Sequence, residues 1–245
     1  MVEILEQGAV SFLAVARRGA PDAGGAGDLE RFFVVLAPEG RRPLRRLAVR
    51  RRRLPDARRR QRFFAHVDRI AAAPARLMED VRSAQAAGRG ARPRVLAVGR
   101  YALARHSDHV HLAYALARAC GRGPLASALG VASGASFVLL AFRRSLPPPR
   151  RPAEGDGAAP LVPATPETLD VIGAEVALVA GGRPGDARLG IPIRRDRVGD
   201  ALVGALLRRG PRPRIASFAR ASASRPARSR VAPAAPVPAR TPERG

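Results

Sequence analysis

The stretch that most constrains the fold is 95–116, VLAVGRYALARHSDHVHLAYAL, where two alternating blocks flank Ser107-Asp108. Successive side chains of an extended strand point to opposite faces, so alternation of this kind is a strand signature. Paired about a two-residue turn, the blocks set His106 opposite His109, Ala104 opposite His111 and Leu103 opposite Leu112. Tyr101, Leu103, Val110, Leu112 and Tyr114 then share the core face. His106, His109, His111 and the small residues Ala102, Ala104 and Ala113 share the other. Ser-Asp is not the favoured Asn-Gly turn, and a slip of one residue would scatter the histidines.

The rest of the chain extends this pattern. Residues 8–17 and the aromatic, β-branched run LERFFVVLAP (29–38) read as strands, the second ended by Pro38. LRRLAVRRRRL (44–54) reads as a third, with Leu47 and Val49 on one face, in an antiparallel meander. Pro55-Asp56 reads as a helix start, followed by Phe63, Val67, Ile70 and Ala71 at helical spacing. Pro74 opens a second helix carrying Leu77, Met78 and Val81, and GPLASALG (123–130) has the end signals of a short one. ASFVLLAF (135–142) and AEVALVAG (174–181) are further strands, separated by a Pro- and Gly-rich linker at 145–168. No internal repeat stands out. These elements predict an α+β fold with a largely antiparallel sheet and two to four helices. The compact domain spans 1–181, and a linker with a possible short helix follows at 182–207. Beyond 208 the sequence is Arg, Pro, Ala and Ser with one acid, Glu243. So little apolar surface does not offset ordering entropy, and 208–245 is expected to be a disordered basic tail.

Composition excludes several chemistries. All 44 basic residues are Arg, which rules out a GxxxxGK[ST] phosphate loop, a lysine Schiff base and a kinase-type lysine. The single cysteine, Cys120, cannot form an internal disulfide, and no apolar run reaches the ~20 residues of a membrane-spanning helix. The N-terminus lacks the basic start of a signal peptide. A cytoplasmic location is the expectation. The net charge of +24 invites a polyanion reading, although an all-Arg inventory beside abundant Ala, Gly and Pro also fits a GC-rich coding bias.

Two candidate sites emerge, in different classes. The first is a polyanion surface. Residues 41–62 hold twelve Arg against Asp56 alone, and Arg41, Arg42, Arg45, Arg46, Arg50, Arg51, Arg52, Arg53, Arg58 and Arg59 are its candidate residues. With the tail, they suit a non-catalytic protein that binds nucleic acid or another polyanion with strongly salt-dependent affinity. Phe32, Phe33, Phe63 and Phe64 flank the band, and their periodic runs mark them first as core. The second is the histidine hairpin. Opposed Cβ atoms lie ~4.5–5.5 Å apart on a sheet. His106, His109 and His111 can therefore converge on one divalent ion such as zinc, with Asp108 as a fourth ligand or an orienting partner. That would make the chain a metal-dependent enzyme acting through activated water.

The blocks FFVVLAPEG, RFFAHVDRI and YALARHSDHVHLAYAL, with the late AEVALVAGG strand, resemble a family of uncharacterised bacterial proteins over about residues 8–180. The resemblance implies a folded protein and carries no activity. Members of that family end in an acidic, mixed-charge segment. The Arg- and Pro-rich end here departs from that pattern, which raises the hypothesis of a shifted reading frame beyond roughly residue 190.

Overall fold

The computed structural model describes residues 2–20, 23–40, 43–56, 59, 61–117, 123–147, 160–181, 193 and 200–207. The elements in chain order are β1 (Val2–Ala16), β2 (Leu29–Pro38), β3 (Leu44–Val49), β4 (Arg62–Ala71), α1 (Pro74–Leu77), α2 (Glu79–Ala86), β5 (Pro93–His106), β6 (His109–Leu116), α3 (Pro124–Ala128), β7 (Gly134–Phe142), β8 (Leu161–Pro163), α4 (Pro166–Leu169), β9 (Glu175–Ala180) and α5 (Asp200–Leu207). The strands run in the order β6-β5-β1-β2-β3-β4-β9-β7, and β6 also pairs with β7. Every pairing is antiparallel, so eight strands close into a barrel. The short β8 continues along β7 from Leu140 to Phe142.

Closure corrects the expected α+β architecture. There is no open sheet with helices laid on it. The wall closes on itself; α1, α2 and α5 lie against its outside, while Leu125 and Ala126 of α3 and Leu169 of α4 join the interior cluster. The segment read as a helix from Pro55-Asp56 is the clearest error, because residues 62–71 form β4. Phe63, Ala65 and Val67 alternate inward, while the outward residues between them are half-buried instead of polar and exposed, which hides the period of two. The linker expected at 145–168 also contains β8 and most of α4.

The interior follows from alternation. Val10, Phe12, Val34, Leu36, Leu47, Val67, Leu103, Leu112, Phe137, Leu139, Val176 and Leu178 all bury their side chains in one cluster. They leave a cavity of only ≈ 10 Å³ among Val10, Phe12, Leu47, Tyr114 and Phe137, about one water. Among the described residues, the barrel interior is filled by side chains. Arg45, in the inward alternation of Leu47 and Val49, is 0% exposed. It donates to Glu6 at 2.6 Å and to Asp170 at 2.7 Å, and Tyr101 donates to the same Glu6 oxygen at 2.6 Å. A buried charge needs partners of this kind.

Outside, α1, α2 and α5 cover one stretch of wall. Leu77, Met78, Val81 and Leu206 pack with Leu13, Val15, Phe33 and Val35 in a second buried cluster. The folded unit therefore continues past residue 181, through α5. Arg46 lies in this layer, 1% exposed. It makes paired hydrogen bonds of 2.8–2.9 Å to Asp68 and to Asp80, and a further one to the Leu77 carbonyl at 2.7 Å. Its guanidinium also sits 4.5 Å from the centroid of the Phe33 ring.

The barrel has an internal pseudo-twofold. β1–β4 and β5–β6–β7–β9 are two four-stranded meanders, joined start to start (β1 to β5) and end to end (β4 to β9). In the first junction Gly8 faces Tyr101 and Val10 faces Gly99, pairs that interchange when Gly8 is matched with Gly99. At both glycines a Cβ would lie 2.2 Å from a neighbouring carbonyl oxygen, that of Ala37 or Ala115, so neither tolerates a side chain. The bulges agree, since the ladder skips Leu5 on one strand and Leu96 on the other. At the second junction, Arg62 facing Val179 and His66 facing Glu175 interchange in the same way. In the sequence the only trace of this repeat at the first junction is ILEQG at 4–8 against VLAVG at 95–99.

Candidate metal centre

The β5–β6 hairpin has the register expected from the sequence: His106 faces His109, Ala104 faces His111 and Leu103 faces Leu112. Ser107 takes a positive φ of 57° and Asp108 does not, the pattern of a type II′ turn. Tyr101, Leu103, Val110, Leu112 and Tyr114 point into the barrel. That leaves His106, His109 and His111 together on the outer wall. Ring centroids are 4.7 Å apart for His109–His111, 5.5 Å for His106–His109 and 6.3 Å for His106–His111. One nitrogen from each ring lies within 4.8 Å of the others.

The neighbours of the rings decide which nitrogens are available. His111 is 3% exposed, and its Nδ1 lies 3.0 Å from Ser136 Oγ on β7. Its Nε2 is buried with no hydrogen-bond partner, as is Nδ1 of His106. Buried polar nitrogens are normally satisfied, so two unpartnered ones in one cluster leave capacity for a further partner. His109 Nδ1 lies 2.9 Å from the Asp108 carboxylate. With Nδ1–H donating to Ser136 in one ring and to Asp108 in the other, both Nε2 atoms keep their lone pairs for a ligand bond. Asp108 is therefore an orienting partner in this geometry and does not join the three-ring cluster.

Electrostatics favours the neutral form of His111. Burial, together with His109 and His106, pushes the pKa of His111 down to about 4. The hydrogen bond from His109 holds the Asp108 carboxyl below its ordinary value. The surroundings are built of small groups. Ala102, Ala104 and Ala113 form a buried outer cluster against which Val2 and Ile193 pack. At Gly181 an added Cβ would lie 3.4 Å from His111 Cε1 and Nδ1, so a glycine leaves the imidazole its room.

The donor set fits a borderline divalent ion. Three neutral imidazoles suit zinc, copper, nickel or iron and do not suit calcium or magnesium, which take oxygen. Nitrogens bound at ~2.0–2.1 Å around one tetrahedral ion lie roughly 3.3 Å apart, so the rings must draw together from the present 4.8 Å spread. His106 and His109 are only half-buried and are free to do so.

The arginine band fares differently. Arg45 and Arg46 are buried and paired to carboxylates, so they cannot face a polyanion. Arg50 is paired to Glu175, Arg52 donates to the Leu29 carbonyl and Arg59 lies near Asp56. Arg51 and Arg53 are exposed and lie over the Phe63 ring at 5.7 and 5.3 Å. Arg41, Arg42, Arg58, Cys120 and the tail lie outside the described residues. Phe32, Phe33 and Phe63 are buried, whereas Phe64 is half-buried on the outer wall. The contiguous Arg41–Arg62 surface expected from the sequence is thus broken by its own two central residues.

Fold and site together define a closed antiparallel β-barrel with a candidate three-histidine centre on its outer wall. Comparisons with protein-family models, with curated proteins and with solved structures found no match. Among the described residues, no helix is long and apolar enough to cross a membrane.

Proposed function

We propose that this chain binds a divalent transition-metal ion, zinc being the best fit, through His106, His109 and His111, and that the open fourth position makes it a metal-dependent enzyme. One observation carries the reading: three imidazoles converge, one ring nitrogen from each lying within 4.8 Å of the others, and the buried Nε2 of His111 has no hydrogen-bond partner. Three protein ligands with a free position is the pattern of catalytic zinc sites, whereas structural sites use all four. Bound there, the ion supplies Lewis acidity. The chain's own residues do the rest. Ser136 and Asp108 fix the ring orientations, and the alanine floor keeps the wall beside the rings low and dry.

The test is elemental analysis of protein purified without an affinity tag. About one metal ion per chain is expected, falling to none when the three histidines are replaced by Ala. No stoichiometric metal, or metal unchanged by that substitution, removes the reading.

A further inference from the structure

The outer wall formed by β4, β9 and β7 presents an apolar surface of another kind. Phe64 on β4 and Phe142 on β7 are half-buried, with ring centroids 5.6 Å apart and planes inclined at 52°. The strand between them has Ala177 opposite Phe64, fully buried beneath the pair. A larger side chain there would hold the two rings apart. Arg62 lies 5.7 Å from the Phe64 centroid and Arg144 lies 5.1 Å from that of Phe142. Glu175 holds Arg50 and Arg144 on this wall, while Arg62 has no carboxylate partner among the described residues. Arg50, Arg62 and Arg144 against Glu175 leave a charge of +2 around the rings.

We propose that this wall is a docking surface for single-stranded nucleic acid, with bases stacking on Phe64 and Phe142 and phosphates paired to Arg62 and Arg144 at their rim. Aromatic rings on a sheet offer π-faces to any unpaired base, and guanidinium groups at their rim match the backbone charge. A duplex hides its base faces, so the surface discriminates strandedness and not sequence. Two features separate this surface from a general basic patch. The rings already meet guanidinium planes, which a base replaces with an equivalent stack. The only carboxylate among these residues, Glu175, is itself engaged by Arg50 and Arg144. The inference is independent of the metal centre, and it moves the polyanion surface from β3 to the far side of β4.

The experiment uses the full chain and a fluorescently labelled mixed-sequence 20-mer, as single strand and as duplex, with anisotropy read across a salt series. Single strand should bind tighter than duplex. Phe64→Leu and Phe142→Leu should each weaken single-strand binding about tenfold and leave duplex binding unchanged. Arg62→Gln and Arg144→Gln, at the surface and safe for folding, should each lower the slope of log affinity against log salt by about 0.7. The proposal is overturned by equal affinity for duplex, by absence of binding, or by Arg variants with the wild-type slope. It is also overturned if vesicles containing phosphatidylserine compete the oligonucleotide off with greater affinity.

Discussion

The pseudo-twofold sets two outer walls of one barrel side by side. Matching Gly8 with Gly99 and following the ladders places Leu13 with Ala104, Val15 with His106, Phe33 with His111, Val35 with Ala113 and Arg46 with Ser136. In the first half these positions are a greasy bed, held under three helices and clamped by Arg46. In the second they are alanines, histidines and a serine. The contact Phe33–Arg46 corresponds to the contact His111–Ser136. The same backbone positions, with the matching bulges at Leu5 and Leu96, therefore carry a packed, ion-paired layer in one half and the histidine cluster in the other. The difference lies in what each half places over its wall. Large apolar side chains require a helical cover, while small ones leave imidazole nitrogens space for a ligand.

Arg46→Met should break the first wall with the largest effect. Removing the guanidinium leaves Asp68 and Asp80 facing each other in a half-buried layer, a loss of about 3–5 kcal/mol in chemical denaturation. The equivalent Ser136→Ala should change stability by less than ~1 kcal/mol and weaken metal binding about 10–100-fold, because it only frees the His111 ring. Comparable destabilisation by the two substitutions would break the comparison.

Saturating metal should stabilise the second wall alone. At a hundredfold excess over Kd the gain is about 2.7 kcal/mol, read as a rise in melting temperature that the triple Ala variant does not show. A smaller effect concerns acid. Burial opposes ionisation of Asp80, but the hydrogen bonds and charge of Arg46 outweigh it and hold the carboxyl below its ordinary value. A lowered folded pKa contributes stability that is present above the unfolded value of about 3.9 and is lost as pH falls through the folded one. Wild type should therefore lose part of its stability below about pH 4, and Asp80→Asn should flatten that part of the curve.

How much of this was legible depends on the range of the interactions. The His hairpin could be read because its register is local: the apolar residues of both blocks fit one pairing about a two-residue turn. Closure could not be read, since β9 must find both β4 and β7, and Arg62 faces Val179 across more than half the described chain. β4 resembles a helix in sequence because Phe63, Val67 and Ile70 fall at i, i+4 and i+7; the bulge at Asp68 is what returns Ile70 to the inward face, and half-buried His66 and Phe64 blur the alternation. The basic run misled for a related reason. Nothing near Arg45 and Arg46 in sequence announces Glu6, Asp170, Asp68 and Asp80, which neutralise them in the fold. The ILEQG and VLAVG segments were the available sign of the repeat, but two identities in five residues carry weight only once the bulges are seen to coincide.

The internal match suggests the most direct test, His111→Phe, which installs in the second half the residue that its twin position already holds. Phe there removes a buried nitrogen that has no partner but also the Nδ1 that meets Ser136 Oγ, so the two effects offset and the variant should stay within about 1 kcal/mol of wild type in denaturant. In a zinc titration against a chromophoric chelator, wild type should bind one ion per chain and the variant none. Equal zinc binding by both proteins, or none by either, would contradict the account.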